Sequence, residues 1–442
     1  MSTNGNAIIK PLNPADYFTL AMDEEIRQEG MPGSLCGFAL ELDKAPALDD
    51  LNLRIDSFTE QFPVALAQLQ AQGRRHYWCK RDQSRQIFFQ HALTDESDED
   101  QQIQVFIEEI INHRESRATI NPIEFHLFNG RDKHVFLLRW IHPFCDAKGA
   151  DLILRYLATE QLQDREKFGV DDAVSLVDLQ LNKFSWWRKV QLFFKAKKYI
   201  QALDQLTSIV PPLKDKAPEN LRYRVYRLSE SQTEQINQQI LNHFGLTGGQ
   251  LYFIACLMRA LYALDPEAKG DAYCAPYAFN LRRQNVLTPV TGNQVCALFA
   301  QASKELVSDR RTLFEHLKQQ NIQVIREQLD YAFLPLMWAG SWLPLEKYGK
   351  TLRQSVNDGS ERSSFWYSDI GKQGFTGQDF LGANITSLVH FCQPTNPPSL
   401  AVLSSQYQNK LSLCYNFIDP LIEPEWIAHL HQQLLLELLG DK

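Results

Sequence analysis

The sequence predicts a mixed α/β protein in two halves of similar size. Three observations carry this. Apolar residues recur at helical spacing in some segments and at strand spacing in others. Both kinds of segment occur on each side of the middle of the chain, the pattern of mixed layers rather than of a bundle or a sandwich. Residues 160–220 break the pattern, being polar, then aromatic and basic, then Pro211-Pro212. That stretch reads as a connection, which gives an N-terminal unit of residues 1–210 and a C-terminal unit of residues 211–442.

The first half holds these elements in order. Leu51–Ala71 reads as a helix, with Leu51, Ile55, Phe58, Phe62, Leu66 and Leu69 on one stripe. Tyr77–Cys79 and Gln86–Phe89 read as short strands. The acidic run Asp95–Asp100 precedes a helical Ile103–Ile111, and carboxylates favour a helix N-terminus. Phe125–Phe128 and Val135–Ile141 form a hairpin around Asn129-Gly130, a strong turn signal. A helix follows at Gly149–Leu157.

The second half opens on a strand, Tyr223–Leu228. Ser231 to Glu234 reads as a capping box for a helix that Gly245 stops. A helix Leu251–Ala263, strands near Ala272–Asn280 and Gln294–Phe299, and a helix Arg311–Arg326 come next. The hairpin Leu400–Ser405 with Leu411–Phe417 and a closing helix Pro424–Leu439 complete the chain.

Composition narrows the function. The 442 residues carry 45 Lys+Arg against 53 Asp+Glu, a net charge of −8. A negative balance opposes general nucleic-acid binding. The best apolar run, Leu251–Leu261, is too short to span a bilayer and contains Arg259. The N-terminal MSTNGNAIIKPLNP lacks the apolar stretch of a signal peptide. The 8 cysteines are scattered without a CxxC pair and read as reduced thiols, so a cytoplasmic location is expected. His429 and His431 form the one close His pair, with no further ligand at zinc spacing, so no metal is expected.

The informative stretch runs from Arg139 through His142, Cys145, Asp146 and Gly149 to Leu154. An apolar strand delivers His142 at its end, and Pro143 stops the strand from continuing as a central ladder member. Asp146 begins a turn, and Gly149 and Ala150 open an apolar helix. A strand-end imidazole can reach into a cleft, and its ordinary pKa lets it accept a proton near neutrality. The ordinary alternative is a packed, satisfied histidine. A second HxxxD, His91 to Asp95, lacks this context. Cys145 could form a nucleophilic couple with His142 or be a small buried hydrophobe.

This stretch resembles the HHxxxDG motif of the condensation-domain superfamily. That superfamily includes chloramphenicol acetyltransferase, BAHD acyltransferases and bacterial wax ester synthases. Pro276–Arg283 followed by Gly292-Asn293-Gln294 is similar to the "vPvnlR…GNq" segment of the wax ester synthase branch, and Phe365–Gly371 to the family's "SNlG" strand. The matches occur in the expected order and cover residues 30–440. The resemblance implies two chloramphenicol-acetyltransferase-like lobes with a tunnel at their interface. His142 would be the general base for acyl transfer from acyl-CoA or a phosphopantetheine thioester to a hydroxyl or amine, and no cofactor would be bound. Asp146 would pair with Arg282, or with Arg283, since neighbours on a strand face opposite ways. Gly149 would support the catalytic loop, and Ala147, Asn293 and Ser368 would line the tunnel. The first His of the motif is replaced by Ile141. Ala147 stands where Gly usually follows Asp, which implies a narrower tunnel or a non-catalytic relative that binds a lipid, thioester or partner protein.

Phe184–Ile200 reads FSWWRKVQLFFKAKKYI. On a helix, Arg188, Gln191, Lys195 and Lys198 share one face, and Trp186, Trp187, Val190, Phe193 and Phe194 the other. Three roles fit: an inter-lobe helix with its aromatic side on the core, a peripheral contact with anionic membrane through Trp186 to Ile200, or a docking face for an acyl carrier protein acting in trans.

Overall fold

The computed structural model describes residues 7–73, 75–83, 85–94, 98–158, 175–282, 290–353, 362–372 and 379–440. Its centre is a six-stranded mixed sheet. The strands lie in the order Asp379–Phe380, Ala383–Cys392, Leu35–Leu42, His134–Ile141, Ile123–Asn129 and Phe88–Ala92. A four-stranded sheet orders Trp366–Lys372, Leu400–Tyr407, Lys410–Asp419 and Asn220–Arg227. Two smaller antiparallel units complete the strands: the ribbon Ala272–Asn280 with Val295–Ser303, and a three-stranded unit of Ile8–Pro11, Arg75–Cys79 and Gln68–Gln72.

The hairpin at Asn129-Gly130 forms in the register Asn129 opposite His134, and it sets up the strand that ends at Ile141. That strand is buried at nearly every position, because one of its faces packs under helix Ala147–Ala158 and the other meets helix Glu99–Asn112. Leu137 and Val135 join Ile103, Ile107 and Ile111 in a core that also takes Leu221, Ala401 and Leu403 from the four-stranded sheet. The seam between the two large sheets is therefore a continuous apolar layer.

Elements from either side of residue 210 pack into each other's sheets and cores. Strand Ala383–Cys392, from the second half, pairs with Leu35–Leu42 in the first sheet, Phe391 opposite Gly37. Helices Leu176–Asn182 and Trp186–Leu203, from the first half, bury Val177, Leu181, Leu192 and Ala196 in the core of the second. Each half completes the other.

Three local expectations differ from the structure. The helix expected over Leu51–Ala71 is Leu48–Gln61, followed by a 3-10 turn at Pro63–Leu66 and a strand at Gln68–Gln72. Pro63 has no N–H to continue the ladder, so the 3.6-residue stripe ends there. The capping box belongs to Ser229 and Gln232 rather than to Ser231 and Glu234. The same S-x-x-E/Q pattern occurs at both places, and the strand ends at Arg227, which leaves Ser229 as the first residue able to cap. The basic aromatic helix buries Leu192, Ala196 and Leu203, not its Trp and Phe face. Trp187 is 75% exposed and Phe194 60%.

Candidate functional site

The HxxxD loop leaves the end of strand His134–Ile141 as a tight turn. The His142 N–H donates to the Ser34 carbonyl (2.8 Å), and Phe144 N–H donates back to Ile141 (2.9 Å). Trp140 Nε1 donates to the Cys145 carbonyl (2.9 Å). The loop is thus tied to the sheet at three points before helix Ala147–Ala158 begins.

Asp146 closes the loop. Its carboxylate accepts Arg282 Nη1 at both oxygens (2.8 and 2.6 Å), the Gly149 N–H (2.8 Å) and the Gln294 N–H (2.8 Å). Both side chains of the ion pair are nearly inaccessible, at 6% and 4% exposure. Arg283 lies outside the described residues. Gly149 is where two chain segments touch. A Cβ there would press into the Val290 carbonyl oxygen and crowd Cys145 Cβ at 3.0 Å. Backbone cannot yield as a side-chain tip can, so Gly149→Ala is expected to cost about 1–3 kcal/mol, by the usual penalty for overpacking. A thermal-unfolding scan checks this.

The Gly292-Asn293-Gln294 segment reaches across to this loop. Gly292 N–H donates to the Phe144 carbonyl (2.7 Å), beside a parallel bridge between Cys145 and Gly292. Gly292 has φ of +79°, a conformation that glycine adopts without strain. Asn293 Nδ2 donates to the His142 carbonyl (2.9 Å) and to Asp16 Oδ1 (3.0 Å). Asp16 Oδ1 also accepts the Asn293 N–H (2.6 Å), while Oδ2 caps the N-terminus of its own helix, Pro14–Gln28. Burial pushes the Asp16 carboxyl up to about 6, against the hydrogen bonds from Asn293 and Asn13 and the charge of Lys10.

The His142 side chain itself is half-buried. Its Nδ1 is buried without a hydrogen-bond partner, as is Asn293 Oδ1. Burial pulls the ring below its ordinary 6.5. Its own backbone, the Asp146 carboxylate and the Asn293 side chain oppose that shift without cancelling it. The ring is accordingly neutral at pH 7, the form that accepts a proton.

Ala147 opens helix Ala147–Ala158, half-buried against the first core, and it does not have the positive φ that only glycine would suit. Ser368 sits on strand Trp366–Lys372, opposite Leu403, and no described hydrogen bond joins it to the His142 loop. Cys145 is fully buried, and burial holds its thiol well above the ordinary value, so it stays protonated and is no nucleophile. His91 of the second HxxxD stacks on Phe128 (4.7 Å) and meets His126 (3.1 Å), a packing role. Asp95 lies outside the described residues.

Two contributors were missed in the sequence. Asp16 lies in Asn13-Pro14-Ala15-Asp16, a legible helix start, but nothing local shows that the same carboxylate would hold Asn293. His390, on the crossing strand, is buried between Phe38 (4.6 Å) and Trp140 (6.2 Å). Burial, with the neighbouring His142, drives its ring down to about 3. The unfolded chain then takes up this proton between pH 6.5 and about 3 while the folded chain does not, so stability falls as pH is lowered through that window. The expected loss is on the order of 5 kcal/mol, and His390→Phe should flatten the acid limb in pH-dependent denaturant unfolding.

No protein-family model and no curated protein matches the sequence. Solved structures do. The first condensation domain of the CDA synthetase aligns over 99% of this chain and 96% of its own, with TM-score 0.72 and 12% identity. The chain has the fold of the condensation and chloramphenicol-acetyltransferase-like acyltransferases. Trichothecene 15-O-acetyltransferase from Fusarium sporotrichioides shares this fold at TM-score 0.70 and 11% identity, over 98% of this chain and 95% of its own. So does the starter condensation domain of rhizomide synthetase, solved with C8-CoA, at TM-score 0.67, 11% identity and 98% and 95% coverage. The mixed α/β architecture in two lobes is that of these neighbours.

Proposed function

We propose that this condensation-fold chain transfers an acyl group from a thioester to a hydroxyl or amine, with His142 as the general base. The observation that carries this is the state of one ring. His142 is neutral, and its loop is fixed by the buried Asp146–Arg282 pair and by Asn293. In the proposed step the acceptor O or N bonds to the thioester carbonyl carbon as its proton passes to Nε2. Collapse expels the thiolate, which takes the proton back. The acyl group passes directly between substrates, since the protonated Cys145 offers no nucleophile. The donor is acyl-CoA or a carrier-bound phosphopantetheine thioester.

A thiol-release assay across acyl-CoA chain lengths, with alcohol and amine acceptor pools, tests the reading. Acceptor-dependent release is expected. Thioester binding that is unchanged in His142→Ala, with no thiol released by either protein, would instead identify a non-catalytic binding protein.

We further propose a peripheral contact with anionic lipid through helix Trp186–Leu203. Trp187 and Phe194 are exposed, and Arg188, Lys195 and Lys198 lie on the same helix. Co-sedimentation with phosphatidylserine vesicles should fall with added salt and be lost in Trp187→Ala/Phe194→Ala. Equal pelleting with neutral vesicles would remove this contact from the scheme.

A further inference from the structure

Two buried aspartates, Asp16 and Asp23, stand about two turns apart on helix Pro14–Gln28 and so share one face. Each commits one carboxylate oxygen to its own surroundings. Asp16 Oδ2 accepts the Asn13 N–H (3.0 Å), and Asp23 Oδ2 accepts Arg27 Nε (2.9 Å) and Arg117 Nε (3.0 Å). The other oxygen of each reaches a residue that holds the backbone of His142.

Asp23 Oδ1 accepts the Ser34 N–H (2.8 Å), and the Ser34 carbonyl accepts the His142 N–H (2.8 Å). Gly33 permits this approach. It has φ of +113°, and a Cβ there would overlap Asp23 Oδ1. On the carbonyl side of His142, Asp16 Oδ1 accepts the N–H and the Nδ2 of Asn293 (2.6 and 3.0 Å), and Nδ2 also donates to the His142 carbonyl (2.9 Å). Asn13, the cap of the same helix, donates to the Asn293 carbonyl (3.1 Å). These partners fix which way the Asn293 amide faces. Turned over, it would set its oxygen against a carboxylate and a carbonyl, both acceptors only, in a buried place.

We propose that helix Pro14–Gln28 positions the His142 base from both sides, with Asp16 acting through Asn293 and Asp23 through Ser34. Both aspartates are positioning residues, since neither touches the ring. The inference rests on His142 as the base of acyl transfer, and it adds a scaffold to the Asp146–Arg282 pair.

Ring nitrogen NMR of the full chain with labelled histidine tests it, His142 being assigned by the signals lost in His142→Ala. The His142 ring signals should move in Asp16→Ala and in Asp23→Ala. They should stay in place in Ile26→Ala, which opens a cavity on the same helix away from this path. In thiol release both aspartate variants should lose kcat by roughly tenfold or more, with KM nearly unchanged, as expected for a displaced catalytic group. In the His142→Ala background, Asp16→Ala should cause no further loss of rate. Should the aspartate variants fail to fold, Asn293→Ala breaks the path at its middle and leaves the residue 293 N–H bonded to Asp16. His142 signals that stay in place in the aspartate variants, or in Asn293→Ala, would overturn the proposal, as would an equal movement in Ile26→Ala. A parent protein that releases no thiol would defeat the acyl-transfer reading alone, and the ring signals would still decide whether the helix positions His142.

Discussion

His142→Ala is expected to lower acyl transfer by roughly 10²- to 10⁴-fold, the usual contribution of a positioned general base, with little change in stability. The reason lies in how the residue is held. Its backbone N–H and carbonyl make the contacts to Ser34 and Asn293, and both survive truncation of the side chain. The half-buried ring adds no hydrogen bond from Nδ1 to that framework. Loss of kcat with KM nearly unchanged, measured by thiol release, would fit a group that acts only as the bond forms. Because the ring titrates below 6.5, the rate should be flat through pH 7 and fall only on the acid side. A variant that releases thiol as fast as the parent would end the proposed role of this imidazole.

Asp146→Ala should act first on stability. Four hydrogen bonds converge on this carboxylate: two from Arg282, and one each from the backbones of Gly149 and Gln294. Removing it takes one partner from a buried ion pair, a change that costs about 3–5 kcal/mol. On the usual size scaling for a chain of this length the melting temperature drops by on the order of 5 °C. Asp146→Ala/Arg282→Ala should cost less than the sum of the two single changes, because each single change already removes the interaction the two share. Strict additivity in that cycle would mean that the pair does not hold the two segments together.

Much of this site was legible along the chain. The strand into His142, the turn at Asp146 and the helix behind Gly149 follow from local rules about where strands stop and helices start. The Asn-Gly hairpin and the helix Pro424–Leu439 were legible for the same reason. One element escaped because it is buried throughout. Strand Leu35–Leu42 is covered on both faces, so it carries no alternation to read. Helix Trp186–Leu203 offered two faces, and its aromatic one looked like the core side. The structure buries a narrower stripe of Leu and Ala, because Tyr199 and Leu192 fit beside Phe299 and Phe333 while the tryptophans overhang.

By itself the sequence determined the local pieces. It placed a neutral-capable histidine at a strand end, an aspartate four residues on, and a glycine at the start of the following helix. Only the tertiary structure decided which distant groups meet them. Asp16, Asn293 and His390 come from three separate parts of the chain, and strand Ala383–Cys392 crosses into the first sheet to bring the last of them in. Pairings over such separations are fixed by complementary buried surface and charge across the whole fold, and no window of neighbouring residues contains that information.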